Sequence, residues 1–122
     1  SRMNTLSEAE EKIAELVWAD PGMSSMDAVR ACNTKYGWKK STVFTLIHRM
    51  EEKKLLLSED HRLRMSCSRD EYYHQKASDF VQADYSGSLP VFLTAFMKDR
   101  VLSDQEADEL EELIRSYRER RK

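Results

Sequence analysis

The sequence predicts a mostly α-helical chain that carries one small β-hairpin: three short helices, the hairpin, and then an all-helical half. Three observations lead there. Ser7 followed by Glu10 is a helix-opening capping pair, and Ile13, Leu16 and Val17 follow it at helical spacing. Val43, Leu46, Ile47 and Met50 fall at i, i+3, i+4 and i+7, the apolar stripe of a helix that faces a core. Between Leu55 and Cys67 that spacing gives way to apolar runs and alternation, the mark of strands.

Leu6 precedes the first helix, and Asp20-Pro21-Gly22 stops it. A second helix starts near Ser24 or Ser25 and runs through Ala28, Val29 and Cys32 towards Tyr36. Gly37 then supplies the left-handed position that commonly ends a helix. Trp38-Lys39-Lys40 leads into the third helix, with Ser41 or a neighbour near its start. Leu55-Leu56-Leu57 is too brief for another helix. Ser58-Glu59-Asp60-His61-Arg62 reads as a polar tip, and Leu63-Arg64-Met65-Ser66-Cys67 alternates, so the segment is two short strands joined as a hairpin. Three helices followed by a hairpin is the order of a winged helix-turn-helix, assigned to residues 1–68.

From Ser68 the chain returns to helix, with Tyr73, Ala77, Phe80 and Val81 on one face. Tyr85-Ser86-Gly87-Ser88 breaks it, and Leu89 to Met97 is a short, very apolar segment. Ser103 and Glu106 form a second capping pair, opening a last helix lined by Leu110, Leu113, Ile114 and Tyr117. Acids fill the first half of that helix, and Arg115, Arg118, Arg120, Arg121 and Lys122 fill its end, which complements the helix dipole. Residues 69–122 make up this helical half.

A length of 122 residues suits one compact domain with an appendage, and 34% charged with 40% hydrophobic residues marks a folded globular chain. Ser1 and Arg2, ahead of Met3, carry no structural weight. No run approaches a membrane span and the first residues hold no signal-like apolar stretch, so the expectation is a cytoplasmic protein with no membrane association. Cys32 and Cys67 stand alone, and four zinc ligands cannot be assembled around them. They read as ordinary small side chains; no metal and no cofactor is expected. His48, His61 and His74 are not spaced as HExxH, there is no GxSxG, and three glycines nearly exclude a phosphate-cradling loop. No catalytic residue is expected, and the chain reads as no enzyme.

The net charge of −2 hides a strong asymmetry. Residues 35–68 hold Lys35, Lys39, Lys40, Arg49, Lys53, Lys54, Arg62 and Arg64 against Glu51, Glu52, Glu59 and Asp60, while acids prevail on either side. A local basic surface matters more to a polyanion than the sum does. On the third helix the face opposite the apolar stripe presents Ser41, Thr45, His48 and Glu52, flanked by Thr42 and Arg49. Small hydroxyls let a helix approach base edges, and Arg and Lys supply charge-assisted hydrogen bonds. Lys39 and Lys40 stand at the helix start, where free backbone N–H groups also favour phosphate. Phe44 lies beside the stripe, where it either touches a thymine methyl or packs against Trp38 or the second helix. His48 is either a hydrogen-bond donor to DNA or an ordinary solvated histidine. Arg62 and Arg64, with His61, decorate the hairpin, where they either grip phosphate and the minor groove or keep a turn soluble.

The tail of about fifty residues is too small to bury its own core well. Its stripes, Tyr72-Tyr73, Phe80, Val81, Leu89, Val91, Phe92, Leu93 and Phe96, then Leu110, Leu113, Ile114 and Tyr117, are therefore expected at a symmetric dimer interface. Packing within one chain is the alternative.

These residues carry a resemblance. Leu6-Ser7-Glu8-Ala9-Glu10 with Ile13 and Trp18 looks like the opening helix of the BlaI/MecI family of penicillinase and methicillin-resistance repressors. Gly37-Trp38, Thr42-Val43, Thr45-Leu46-Ile47, Arg49 and Lys53 resemble its recognition helix. Leu102-Ser103-Asp104-Gln105-Glu106 and Leu110-Glu111-Glu112-Leu113 are similar to its final helix. The resemblance implies a homodimeric repressor on a palindromic double-stranded DNA operator, controlling functions such as β-lactamase or the cell-wall stress response. It implies that Ser41, Thr42, Phe44 and Thr45 lie on the DNA-reading helix. It also implies relief by a sensor-activated protease, with the cut aligned between Ala95 and Phe96. This chain departs from the family pattern at Glu11 (often tryptophan), Phe44 (polar or basic), Lys54 (a glycine ending the recognition helix) and Ala95 (asparagine). A related copper-responsive group ends in a cysteine-rich motif, which residues 99–122 lack. The competing reading is a winged-helix protein-interaction module without specific DNA binding.

Overall fold

The structure, a computed structural model, describes residues 5–121. Lys122, grouped above with the cations of the last turn, lies outside them, as do Ser1 and Arg2. The element order is α1 (Glu8–Ala19), α2 (Ser25–Tyr36), α3 (Lys40–Glu52), β1 (Leu56–Glu59), β2 (Arg62–Met65), α4 (Arg69–Tyr85), α5 (Leu89–Met97) and α6 (Asp104–Glu119). The chain is thus mostly helical, with one antiparallel hairpin after three helices and a helical region beyond. It divides into two compact units, Ser1–Phe80 and Val81–Lys122.

Serine caps set where most of these helices begin. Ser7 and Glu10 make both bonds of a capping box at α1, and Ser24 with Asp27 does the same at α2. Ser68 and Glu71 repeat the arrangement at α4, at 2.9 and 3.1 Å. At α6 only half of the expected box forms, with the Ser103 hydroxyl accepting from the Glu106 N–H. Each such cap satisfies N–H groups that the helix itself leaves unpaired.

The core of the first unit joins Ile13, Ala14 and Val17 of α1 with Ala28, Val29 and Cys32 of α2. The whole α3 stripe (Val43, Leu46, Ile47, Met50), Leu6, Met23, Leu55, Leu56, Leu63 and Tyr72 complete it. Tyr72 is a correction to the expected interface pair: its ring is buried in its own chain, where its hydroxyl accepts the Leu6 N–H at 2.9 Å. The Trp18 indole N–H donates to the Cys67 carbonyl at 2.9 Å, fixing the chain as it leaves the hairpin for α4.

The hairpin pairs Leu56 with Met65 and Glu59 with Arg62, so Ser58, Glu59 and Arg62 belong to the ladder and the tip is only Asp60-His61. Both turn residues have positive φ, 52° and 61°, as a two-residue turn matched to strand twist requires. The sequence reading gave no third strand, yet residues 22–24 pair along β2. Gly22 N–H donates to Leu63 O at 2.7 Å, Leu63 N–H returns a bond to Met23 O at 2.8 Å, and Ser24 bridges Arg62. Gly22 sits at φ +90°, a conformation that side chains rarely adopt.

Two features tie down the end of α3. The Glu10 side chain, 1% exposed, accepts from Ser7 N–H at 2.7 Å and from Lys53 Nζ at 2.5 Å through one oxygen, and Lys53 also donates to the Thr5 carbonyl. Lys54 then takes a left-handed φ of 62°. Its N–H bonds to Glu51 O, and the Leu55 N–H bonds to Met50 O, a Schellman ending built on lysine where glycine would be unstrained.

Burial alone would push the Glu10 carboxyl up. The hydrogen bonds from Lys53 and Ser7, with the Lys53 charge, outweigh it and hold the group below its ordinary value of 4.5. The unfolded chain therefore takes up this proton at higher pH than the folded one. The stabilisation is fully present above about pH 4.5 and is lost as pH falls through the folded value. Glu10→Ala should cost about 2 kcal/mol in urea unfolding at neutral pH, the partial exposure of Lys53 softening the loss, and should flatten the acid limb of stability. Lys54→Gly should act in the opposite direction, adding about 1 kcal/mol and raising Tm by a few degrees in calorimetry.

Candidate nucleic-acid interface

Helix α3 splits cleanly into two faces. Val43, Leu46, Ile47 and Met50 are buried, while Lys40, Ser41, Thr42, Phe44, Thr45, His48 and Arg49 are exposed. Ser41, Thr42, Thr45 and Arg49, with the edge of Leu46, line a shallow depression of about 230 Å³. The N-cap is Lys39, and no side chain caps this end. The first N–H groups of α3 are thus open beside the ammonium groups of Lys39 and Lys40. Short hydroxyls along the helix, cations at its start and Arg49 in its last turn form one continuous surface.

The remaining sequence-derived residues stand around this surface with different degrees of freedom. The His48 Nε2 is 3.8 Å from Glu52, an exposed contact one turn along the helix that is an ion pair only when the imidazole is protonated. Phe44 carries the Lys40 ammonium 5.7 Å from its ring centroid. On the hairpin, Leu63 turns inward and Arg62 and Arg64 outward. Arg62 donates to the Gly22 carbonyl at 3.1 Å, so part of its guanidinium braces the loop before α2. Arg64 lines a separate groove with Trp18, Pro21 and Arg69. That groove shares no residue with the α3 depression, which gathers Ser41, Thr42, Thr45 and Arg49 but not Lys39, Lys40, Phe44, His48 or the two wing arginines.

Sequence reasoning missed two supports of this surface. The Glu10–Lys53 pair holds the far end of α3 against the start of α1. Before α3, the Trp38 ring lies 4.8 Å from Tyr36, and the Lys12 ammonium sits 4.7 Å from the Tyr36 ring. Glu10–Lys53 and Lys12–Tyr36 join residues distant in sequence, and local periodicity carries no signal of them.

The profile of a family described as the penicillinase repressor matches residues 6–116. The chain belongs to the penicillinase repressor family. Among curated proteins, the penicillinase repressor of Bacillus licheniformis is 21% identical over 121 residues, covering 96% of this chain and 94% of its own. A member of this family is a transcriptional repressor and not an enzyme. Among the described residues of the repressor, no group of three or more His, Cys, Asp or Glu is placed to hold a metal ion. No described helix is long and apolar enough to cross a membrane. Burial pushes both the Cys32 and Cys67 thiols up.

The second unit of the repressor is built differently from the first. Neither α5 nor α6 buries a residue. On α6 Leu110, Leu113, Ile114 and Tyr117 are 37–58% exposed along one stripe, and on α5 Leu89, Val91 and Phe96 are about half exposed. Phe92 is half-buried between Tyr85 and Phe96, its ring 5.3 and 5.8 Å from theirs. Val81 is half-buried and Phe80, in the first unit, is exposed. Tyr73 packs against the winged-helix core, 6.0 Å from Trp18 and edge-on to Tyr72. The Ala95–Phe96 bond lies within α5, where the Phe96 carbonyl accepts from Arg100 Nε at 2.9 Å.

Proposed function

We propose that this repressor binds a palindromic DNA operator as a homodimer, with α3 of each subunit in the major groove. The observation that carries the reading is the division of α3 into a buried apolar stripe and an exposed face of hydroxyls and cations with an uncapped start. Lys39, Lys40 and Arg49, with Arg62 and Arg64 of the wing, serve phosphates; Ser41, Thr42, Thr45 and His48 serve base edges. Such a protein acts in the cytoplasm, where its operator is. The apolar stripes of α5 and α6, uncovered within one chain, support a symmetric partner. Val81 belongs to the same unit as those stripes, and Tyr73 and Phe80 of the winged-helix unit are assigned to the partner as well. Relief by a sensor-activated protease at Ala95–Phe96 fits a helix of nine residues, short enough to open once its partner face is released.

Fluorescence anisotropy against the chain's own upstream promoter and a scrambled duplex tests the DNA reading. Promoter affinity should fall steeply between low and high salt, because phosphate contacts release counterions. Thr42→Ala with Thr45→Ala should lose about tenfold or more in promoter affinity while melting as the parent does. Equal binding of both duplexes by the parent would instead favour the interaction-module reading. For the dimer, Ile114→Asp should sediment as a monomer at concentrations where the parent sediments as a dimer. An unchanged dimer would remove α6 from the interface.

A further inference from the structure

Phe44 is the one apolar side chain on the exposed face of α3, at 37% exposure. The sequence left it either packing or reading a methyl, and in the structure more than a third of its surface stays open to solvent. Trp38 lies on Tyr36, and among the described residues Phe44 pairs with no other ring. Its one ring contact is the Lys40 ammonium, one turn towards the helix start. Ser41 and Thr45, its neighbours on the exposed side, are short. The open edge of the ring is therefore available, beside the more exposed His48, to whatever lies against the helix.

In the major groove nearly every exposed group is a donor or acceptor, and covering one with a phenyl ring desolvates it without replacement. The exception is a methyl group on C5 of a pyrimidine. We propose that Phe44 reads a pyrimidine C5-methyl, so that each half-site requires a methylated pyrimidine opposite it; the inference rests on the DNA-reading role of α3 above. Thymine and 5-methylcytosine present the same group. The Lys40 ammonium holds the ring from the side nearest the helix start, where a phosphate is also expected.

The test begins with selection of bound duplexes from a random-sequence pool by the full chain. Within the enriched site, each thymidine is then replaced by deoxyuridine, and each deoxycytidine by its 5-methyl form, and affinities are measured by anisotropy. Loss of affinity by about fourfold at one thymidine per half-site, or an equal gain at one methylated cytidine, is expected for the parent, the worth of one buried methyl. Phe44→Ala, an exposed position that leaves the core intact, should show neither response while keeping the parent's salt dependence. No response at any position in the parent, or the same response in Phe44→Ala, overturns the inference alone. Failure of the parent to enrich any sequence overturns the DNA-reading role of α3 and this inference with it.

Discussion

One buried carboxylate holds the end of α3 in place. The Glu10 side chain closes the start of α1 by accepting from Ser7, and the same oxygen binds Lys53 at the end of α3. Its other oxygen has no hydrogen-bond partner among the described residues. A carboxylate so deeply buried is stable only while its counter-charge stays in reach. The pair therefore does more than bind α1 to α3. It makes any shift of the far end of α3 expensive, since moving Lys53 away strands a charge in the core.

The first turns of α4 are secured against α1 by a different mixture. Tyr72 contributes a buried ring and a satisfied hydroxyl, while Arg69–Glu15 and Lys76–Glu11 lie near the surface at 2.7 and 2.5 Å. Exposed ion pairs of this kind contribute little, so the tyrosine dominates. The start of α4 thus belongs to the winged-helix core. In the second unit, the nine-residue α5 and the sixteen-residue α6 bury no residue within one chain.

Much of the fold was legible because its signals are local. Ser7 with Glu10 marked α1 correctly, and the same rule applied to Ser24-Asp27 and Ser68-Glu71 locates two further helix starts that were read less sharply. The α3 stripe showed both which side packs and which side is free. Lys54 takes the left-handed conformation whose strain a glycine would relieve. What stayed hidden depends on partners distant along the chain. Residues 22–24 carry no strand pattern, because their backbone is drawn into pairing by β2. Tyr72 and Tyr73 are adjacent and chemically alike, so periodicity could not say that one enters the core. Arg62 and Arg64 look equivalent on a hairpin, yet one braces Gly22 and the other lines a separate groove.

The strip formed by residues 22–24 also changes what kind of object the wing is. A free two-stranded ribbon is marginal in water and flexes readily. Here β2 is bonded on its other edge, and the His61 carbonyl at the tip accepts the N–H of Ser25 at the start of α2. The wing is thereby splinted to the helix pair that carries α3, and the span between hairpin and helix behaves as a fixed calliper. If the hairpin and α3 both grip a duplex, as proposed above, that duplex has to conform to the span, and groove width and bendability are then selected alongside base sequence.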